Sequence, residues 1–155
     1  MEKDKQHIIP NVFLDKIKSA VVNKFQLKNS FQLNDKLDGI LFLNNQYKKI
    51  LPVYIFQKDN QLNLINEQEI LKTSNIVIHN NIRTLLLGVD ESSRIAIPDI
   101  EVDMYLIFQL FDRYRYIKFI GSISKIECVS LAKSGSQFDQ INRNTICFIN
   151  KSELL

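Results

Sequence analysis

Asp15, Asp38, Gln57 and Lys58 are side chains of the types that metal-assisted hydrolysis of a phosphodiester uses. That reaction needs two or three oxygens converging on a divalent cation, usually Mg²⁺, and a means of activating water. A lysine beside the attacked phosphate often completes it. In such a site Asp38 would bind Mg²⁺ with help from Asp15, Lys58 would stabilise the transferring phosphate, and Gln57 would orient water or metal. Each residue also has a plainer use. Asp38 before Gly39 is good turn chemistry, Asp15 lies among lysines on a polar helical face, and Lys58-Asp59-Asn60 suits the exit from a strand.

The elements that would position these groups follow from periodicity. Val12, Phe13, Ile17, Ala20, Val21 and Phe25 recur at helical spacing, with Asn11 as N-cap; Asp15, Lys16, Lys18, Ser19 and Lys24 take the other face. Residues 33 to 59, LNDKLDGILFLNNQYKKILPVYIFQKD, predict two strands, 38 to 43 and 50 to 56, joined by a polar link at 44 to 49. Pro52 places the second strand's beginning, or an edge. A short leading strand is expected at 31 to 35. Glu67 to Leu71 suits one helical turn, and strands are expected at 75 to 79 and 82 to 89 around the turn Asn80-Asn81. Another is expected at 94 to 97. A hairpin of 102 to 111 and 114 to 120 precedes a helix at 124 to 132, capped by Ser124 with Glu127 three positions on. A loop at 133 to 144 and a strand at 145 to 149 end the chain. The fold class is mixed α/β (α+β): a single domain over residues 1 to 155, with an N-terminal helix, a central mixed sheet, a C-terminal hairpin and a further helix.

An acid on the first helix, an Asp opening a strand and a Lys closing the next resembles the plan of the PD-(D/E)xK, or restriction-endonuclease-like, nucleases. The resemblance spans residues 11 to 130, including the segment VDMYLIFQLFDRYRYIKFIGSISK. It implies a Mg²⁺-dependent nuclease, with DNA favoured over RNA as substrate and the choice between them left open, and a homo-oligomer to cut both strands of a duplex. Lys16, Lys18, Lys24, Lys48, Lys49, Arg113 and Arg115 would then contact phosphates. The sequence departs from the motif two positions before Lys58, where Phe56 stands in place of an acid. In a strand, residues two apart share a face and adjacent ones do not, so Gln57 replaces that acid only across a bulge. The alternative is a non-catalytic module on a similar fold that binds a protein partner as inhibitor, immunity-type protein or assembly subunit. Nucleic-acid binding without hydrolysis is a third reading. The run Tyr105, Phe108, Phe111, Arg113, Tyr114, Arg115, Tyr116, Lys118, Phe119 mixes rings that stack bases with cations that neutralise phosphates.

The totals set outer limits. A chain of 155 residues with 45% hydrophobic and 24% charged residues suits one globular domain. A net charge of +3 permits a nucleic-acid partner without demanding one. Asp99, Glu101 and Asp103 alternate as an exposed edge or a metal site would. Zinc spacing, nucleotide-binding glycine motifs and a nucleophile elbow are all missing. Cys128 and Cys147 lie in apolar segments and are expected to be reduced core thiols. With a charged start and no apolar run of membrane-spanning length, a cytoplasmic protein without a membrane partner is expected.

Overall fold

In a computed structural model of the chain, residues 1–25, 37–62, 65–91, 94–133 and 144–155 are described, Leu37 and Asp38 by backbone alone. The strand expected at 31 to 35 and residues 134 to 143 of the loop expected at 133 to 144 lie outside them. Strand β1 (Gln6–Ile8) leads into helix α1 (Asn11–Lys24), then the long helix α2 (Leu37–Asp59) and a 3₁₀ segment (Glu67–Lys72). Next come β2 (Ile76–His79), β3 (Ile82–Val89), β4 (Arg94–Pro98), β5 (Met104–Phe111) and β6 (Tyr116–Ser124). Helix α3 (Lys125–Lys133), β7 (Thr145–Asn150) and a 3₁₀ turn (Lys151–Glu153) close the order. The class is mixed α/β in a single domain, with a five-stranded sheet β1-β6-β5-β3-β2 and a two-stranded sheet β4-β7. Within the larger sheet β3 and β5 are parallel and the other pairs antiparallel.

Helix α2 corrects the two strands expected at 38 to 43 and 50 to 56. Asn44 to Lys49 contain neither Gly nor Pro, so nothing there breaks a helix. Gly39, Leu43, Tyr47, Ile50 and Leu51 are buried at helical spacing. From Ile50 to Phe56 almost every position is buried, as in a helix enclosed on all sides. The same run reads as a strand covered on both faces, because continuous burial erases the period that tells the two apart. Pro52 lies inside the helix and supplies no N–H to the Lys48 carbonyl. Gly88 of β3 packs against that carbonyl, where a Cβ would collide.

Helix α1 stands where expected, with Phe13, Ile17 and Val21 buried. Pro10 rather than Asn11 holds the N-cap position, and Val12 and Phe25 are exposed. Phe13 stacks on Tyr54 at 4.3 Å and Phe25 meets Phe42 edge-on at 5.3 Å, so α1 and α2 run antiparallel. Phe56 and Asp59 sit one turn apart on α2. Phe56 meets His79 of β2 at 5.2 Å, and Asp59 Oδ2 lies 3.8 Å from His7 Nε2 of β1. Because β1 and β2 are opposite edges, the sheet curls around this helix.

The sheet separates two cores. On its helix side Leu86, Phe108, Leu110, Ile117 and Phe119 pack on α1 and α2. On the other, Leu85, Tyr105, Ile107 and Ile123 pack under β4, β7 and α3. Cys128 and Cys147 are free and buried together there, their mutual hydrogen bond and burial holding the Cys128 thiol above its ordinary range. Both chain ends pair with β6: Asp4 N–H donates to the Phe119 carbonyl, and Leu155 exchanges two backbone bonds with Ser122. Gly121, at φ +138, makes this possible, since a Cβ would lie 2.6 Å from Leu154 Cβ.

Candidate functional site

The residues expected to hold a metal are strung along the helices. Asp38 stands in the first turn of α2 and Lys58 in the last, about 30 Å apart at 1.5 Å per residue. The antiparallel pairing sets Asp15 level with Pro52, about 20 Å along the axis from Asp38. Among the described residues the buried Gln57 carboxamide oxygen has no hydrogen-bond partner, and the Gln57 backbone carbonyl accepts from Leu62 N–H at the helix end. The structure therefore does not bring Asp15, Asp38 and Lys58 together, and these residues do not fit a shared Mg²⁺. Among the described residues no three His, Cys, Asp or Glu side chains converge as a ligand set. Asp99 instead pairs with Lys125 at 3.0 Å.

The cations expected to contact phosphates divide. Lys16 pairs with Glu67 at 2.7 Å, Lys48 with Asp90 at 2.6 Å, and Lys49 donates to the Leu71 carbonyl at 3.1 Å. Lys24 sits over the Phe42 ring, and Lys18 is half-buried on α1. Arg113 and Arg115 are exposed in the β5–β6 turn. Only these two stand beside the aromatic run.

Register decides which members of that run share a face. Phe108, Leu110, Ile117 and Phe119 point to the helices, so the alternate positions face the other way. Ile8, Tyr116 and Phe111 form one row across β1, β6 and β5; Gln6, Lys118 and Gln109 form the next. Phe111 and Tyr116 stack at 5.6 Å with 21° between their planes, and Lys118 Nζ lies 5.6 Å from the Phe111 centroid. Ile8 is 70% exposed, and Phe111, Tyr116, Lys118 and Gln109 are half-buried. The result is an accessible strip of rings, bordered by amides and a lysine and ending at two arginines. Gln6, Ile8 and Gln109 were not among the residues that sequence singles out. The alternation of Gln109 with Phe111 and of Tyr116 with Lys118 carried a partial signal; the addition of β1 carried none.

At the end of this strip the turn is fixed to the helix layer. The Tyr114 ring lies 5.0 Å from Tyr47, its hydroxyl donates to Asp90 Oδ1 at 3.4 Å, and Asp90 is held by Lys48. Burial, then the Asp15 carboxylate, pushes the Tyr47 phenol up to about 12. Burial, then Asp90, does the same to Tyr114. Both phenols thus stay protonated donors across the neutral range.

No family model, curated protein or solved structure matches the chain. Among the described residues no helix is long and apolar enough to cross a membrane.

Proposed function

We propose that the protein binds single-stranded nucleic acid on the outer face of β1, β6 and β5. The observation that carries this reading is the stacked Phe111–Tyr116 pair with Lys118 Nζ over the Phe111 ring, on a sheet face that solvent reaches. Every base has a π face, so such rings take successive bases with little regard to sequence, for about 1–3 kcal/mol per base. A duplex hides its base faces, which favours a single strand. Gln6 and Gln109 carry amides able to donate to and accept from base edges, and Arg113, Arg115 and Lys118 bring positive charge for the backbone. The separation of Asp15 on α1 from Asp38 and Lys58 at opposite ends of α2 weighs against phosphodiester hydrolysis at those residues.

Fluorescence anisotropy with short labelled single-stranded DNA, single-stranded RNA and duplex DNA tests this. Single strands bind more tightly than duplex, and Phe111→Ala or Tyr116→Ala each weakens them by about tenfold or more. Asp38→Ala and Lys58→Ala leave the affinity as it was. Unchanged binding in a Phe111→Ala/Tyr116→Ala double variant would sink the proposal. Mg²⁺-dependent cleavage of the same oligonucleotides, lost in Asp38→Ala, would restore the nuclease reading.

A protein-binding role is the second reading, favoured by the edge of β2, which no further strand pairs among the described residues and where Ile78 is 68% exposed. An extended peptide adding to that edge would use the outward backbone groups of Ile78. Those of Ile76 already bond the Ser74 hydroxyl. Ile78→Lys would abolish capture of such a peptide and leave oligonucleotide binding intact.

A further inference from the structure

The β5–β6 turn has an unusual backbone. Asp112, Arg113 and Tyr114 are consecutive, none is glycine, and all have left-handed φ of 52°, 55° and 67°. Left-handed non-glycine residues are uncommon and cost energy, most for bulky side chains. Such a conformation persists only where its surroundings over-determine it, and here they do. Tyr114 is held from one side by the Tyr47 ring and the Asp90 carboxylate. Arg115 is held from the other, where its carbonyl accepts from Ile9 N–H at 2.8 Å and its own N–H donates to Asp112 at 3.1 Å. The tyrosine that anchors the turn stands between the two exposed arginines.

We propose that this turn is a preorganised phosphate clamp, with Tyr114 as its positioning residue. Pinned on Tyr47 and Asp90, Tyr114 sets Arg113 and Arg115 against the backbone of a strand whose bases lie on Phe111 and Tyr116. The inference rests on the single-stranded nucleic-acid reading. Its ligand chemistry is a run of phosphodiesters continuous with the stacked bases. Fixing the turn before binding removes an ordering cost that a free loop would meet on association.

The test is the salt dependence of binding to a labelled single strand. Each phosphate contact contributes about 0.7 to the slope of log affinity against log salt. Arg113→Gln and Arg115→Gln are each expected to flatten the slope by about that much. Tyr114→Asn removes the ring while keeping a residue that tolerates left-handed backbone. It is expected to flatten the slope by about 0.7 or more, although both arginines remain. Tyr114→Phe keeps the ring on Tyr47 but gives up the bond to Asp90, and is expected to flatten the slope by less than Tyr114→Asn does. Ile149→Val, a conservative change in the opposite core, controls for lost stability and leaves the slope alone. A wild-type slope in folded Tyr114→Asn overturns the clamp, even where Phe111→Ala still weakens binding. Failure of the wild-type protein to bind any single strand removes the nucleic-acid reading and the clamp with it.

Discussion

Gly88 meets Lys48 at a point where two sequence features answer each other. Pro52 takes away the donor that the Lys48 carbonyl would have had in an unbroken helix, and glycine in β3 lets the strand approach that carbonyl. Gly88→Ala would press its Cβ into the carbonyl and to within 2.9 Å of Leu110 Cδ1. It is expected to cost about 3 kcal/mol in urea unfolding; a loss below about 1 kcal/mol would mean the strand can move away. The tyrosines give a pH signature. Tyr47 and Tyr114 are raised to about 12 by burial first and nearby carboxylates second. The unfolded phenol ionises near 10, so the folded state holds these protons longer. Their contribution to stability is whole below pH 10 and is lost as pH climbs toward 12. Absorbance titration should show Tyr47 and Tyr114 ionising late, together with Tyr105, which burial also raises, with the alkaline loss of stability reduced in Tyr47→Phe. Ionisation of all five tyrosines near pH 10 would contradict the burial. Asp15 was legible as an exposed acid on α1; its influence on Tyr47 was not, because it depends on how two helices align.

Among the elements, those with local punctuation were legible. Asn80 and Asn81, at φ 53° and 63°, form the two-residue turn joining β2 to β3. Ser124 Oγ accepts from Glu127 N–H at 3.1 Å and starts α3 as expected; Ser124→Ala should cost about 1 kcal/mol. Helix α2 was illegible for the opposite reason. Its C-terminal half is enclosed on every side, its proline suggested a strand boundary, and its polar middle resembled a link. Asn45 separates the two accounts, since it is exposed and mid-helix. Proline in a helix interior removes a hydrogen bond and clashes with the preceding turn. Asn45→Pro should therefore destabilise by about 3 kcal/mol, seen as a lower urea midpoint. Near-neutral behaviour would fit a loop between strands and contradict the helix.

For the whole molecule, the sequence carried the class but not the arrangement. Which strands neighbour each other, and that β1 from the chain's start pairs with β6 near its end, follows from burial against a helix whose own identity was hidden. That pairing converts a hairpin with mixed aromatics into a two-row surface. It also places the surface proposed to bind nucleic acid on the far side of the sheet, away from the ends of α2. Lysines on the helices are engaged by Glu67, Asp90 and a backbone carbonyl, whereas Lys118, Arg113 and Arg115 stand beside the half-buried rings of the outer sheet face. The most direct measurement is amide chemical-shift mapping of the labelled protein titrated with a short single strand. The account predicts the largest changes at Gln6, Ile8, Gln109, Phe111, Tyr116 and Lys118, with Lys58 and its neighbours unmoved. Changes concentrated at the ends of α2, or a saturated complex that leaves the sheet face unshifted, would contradict it.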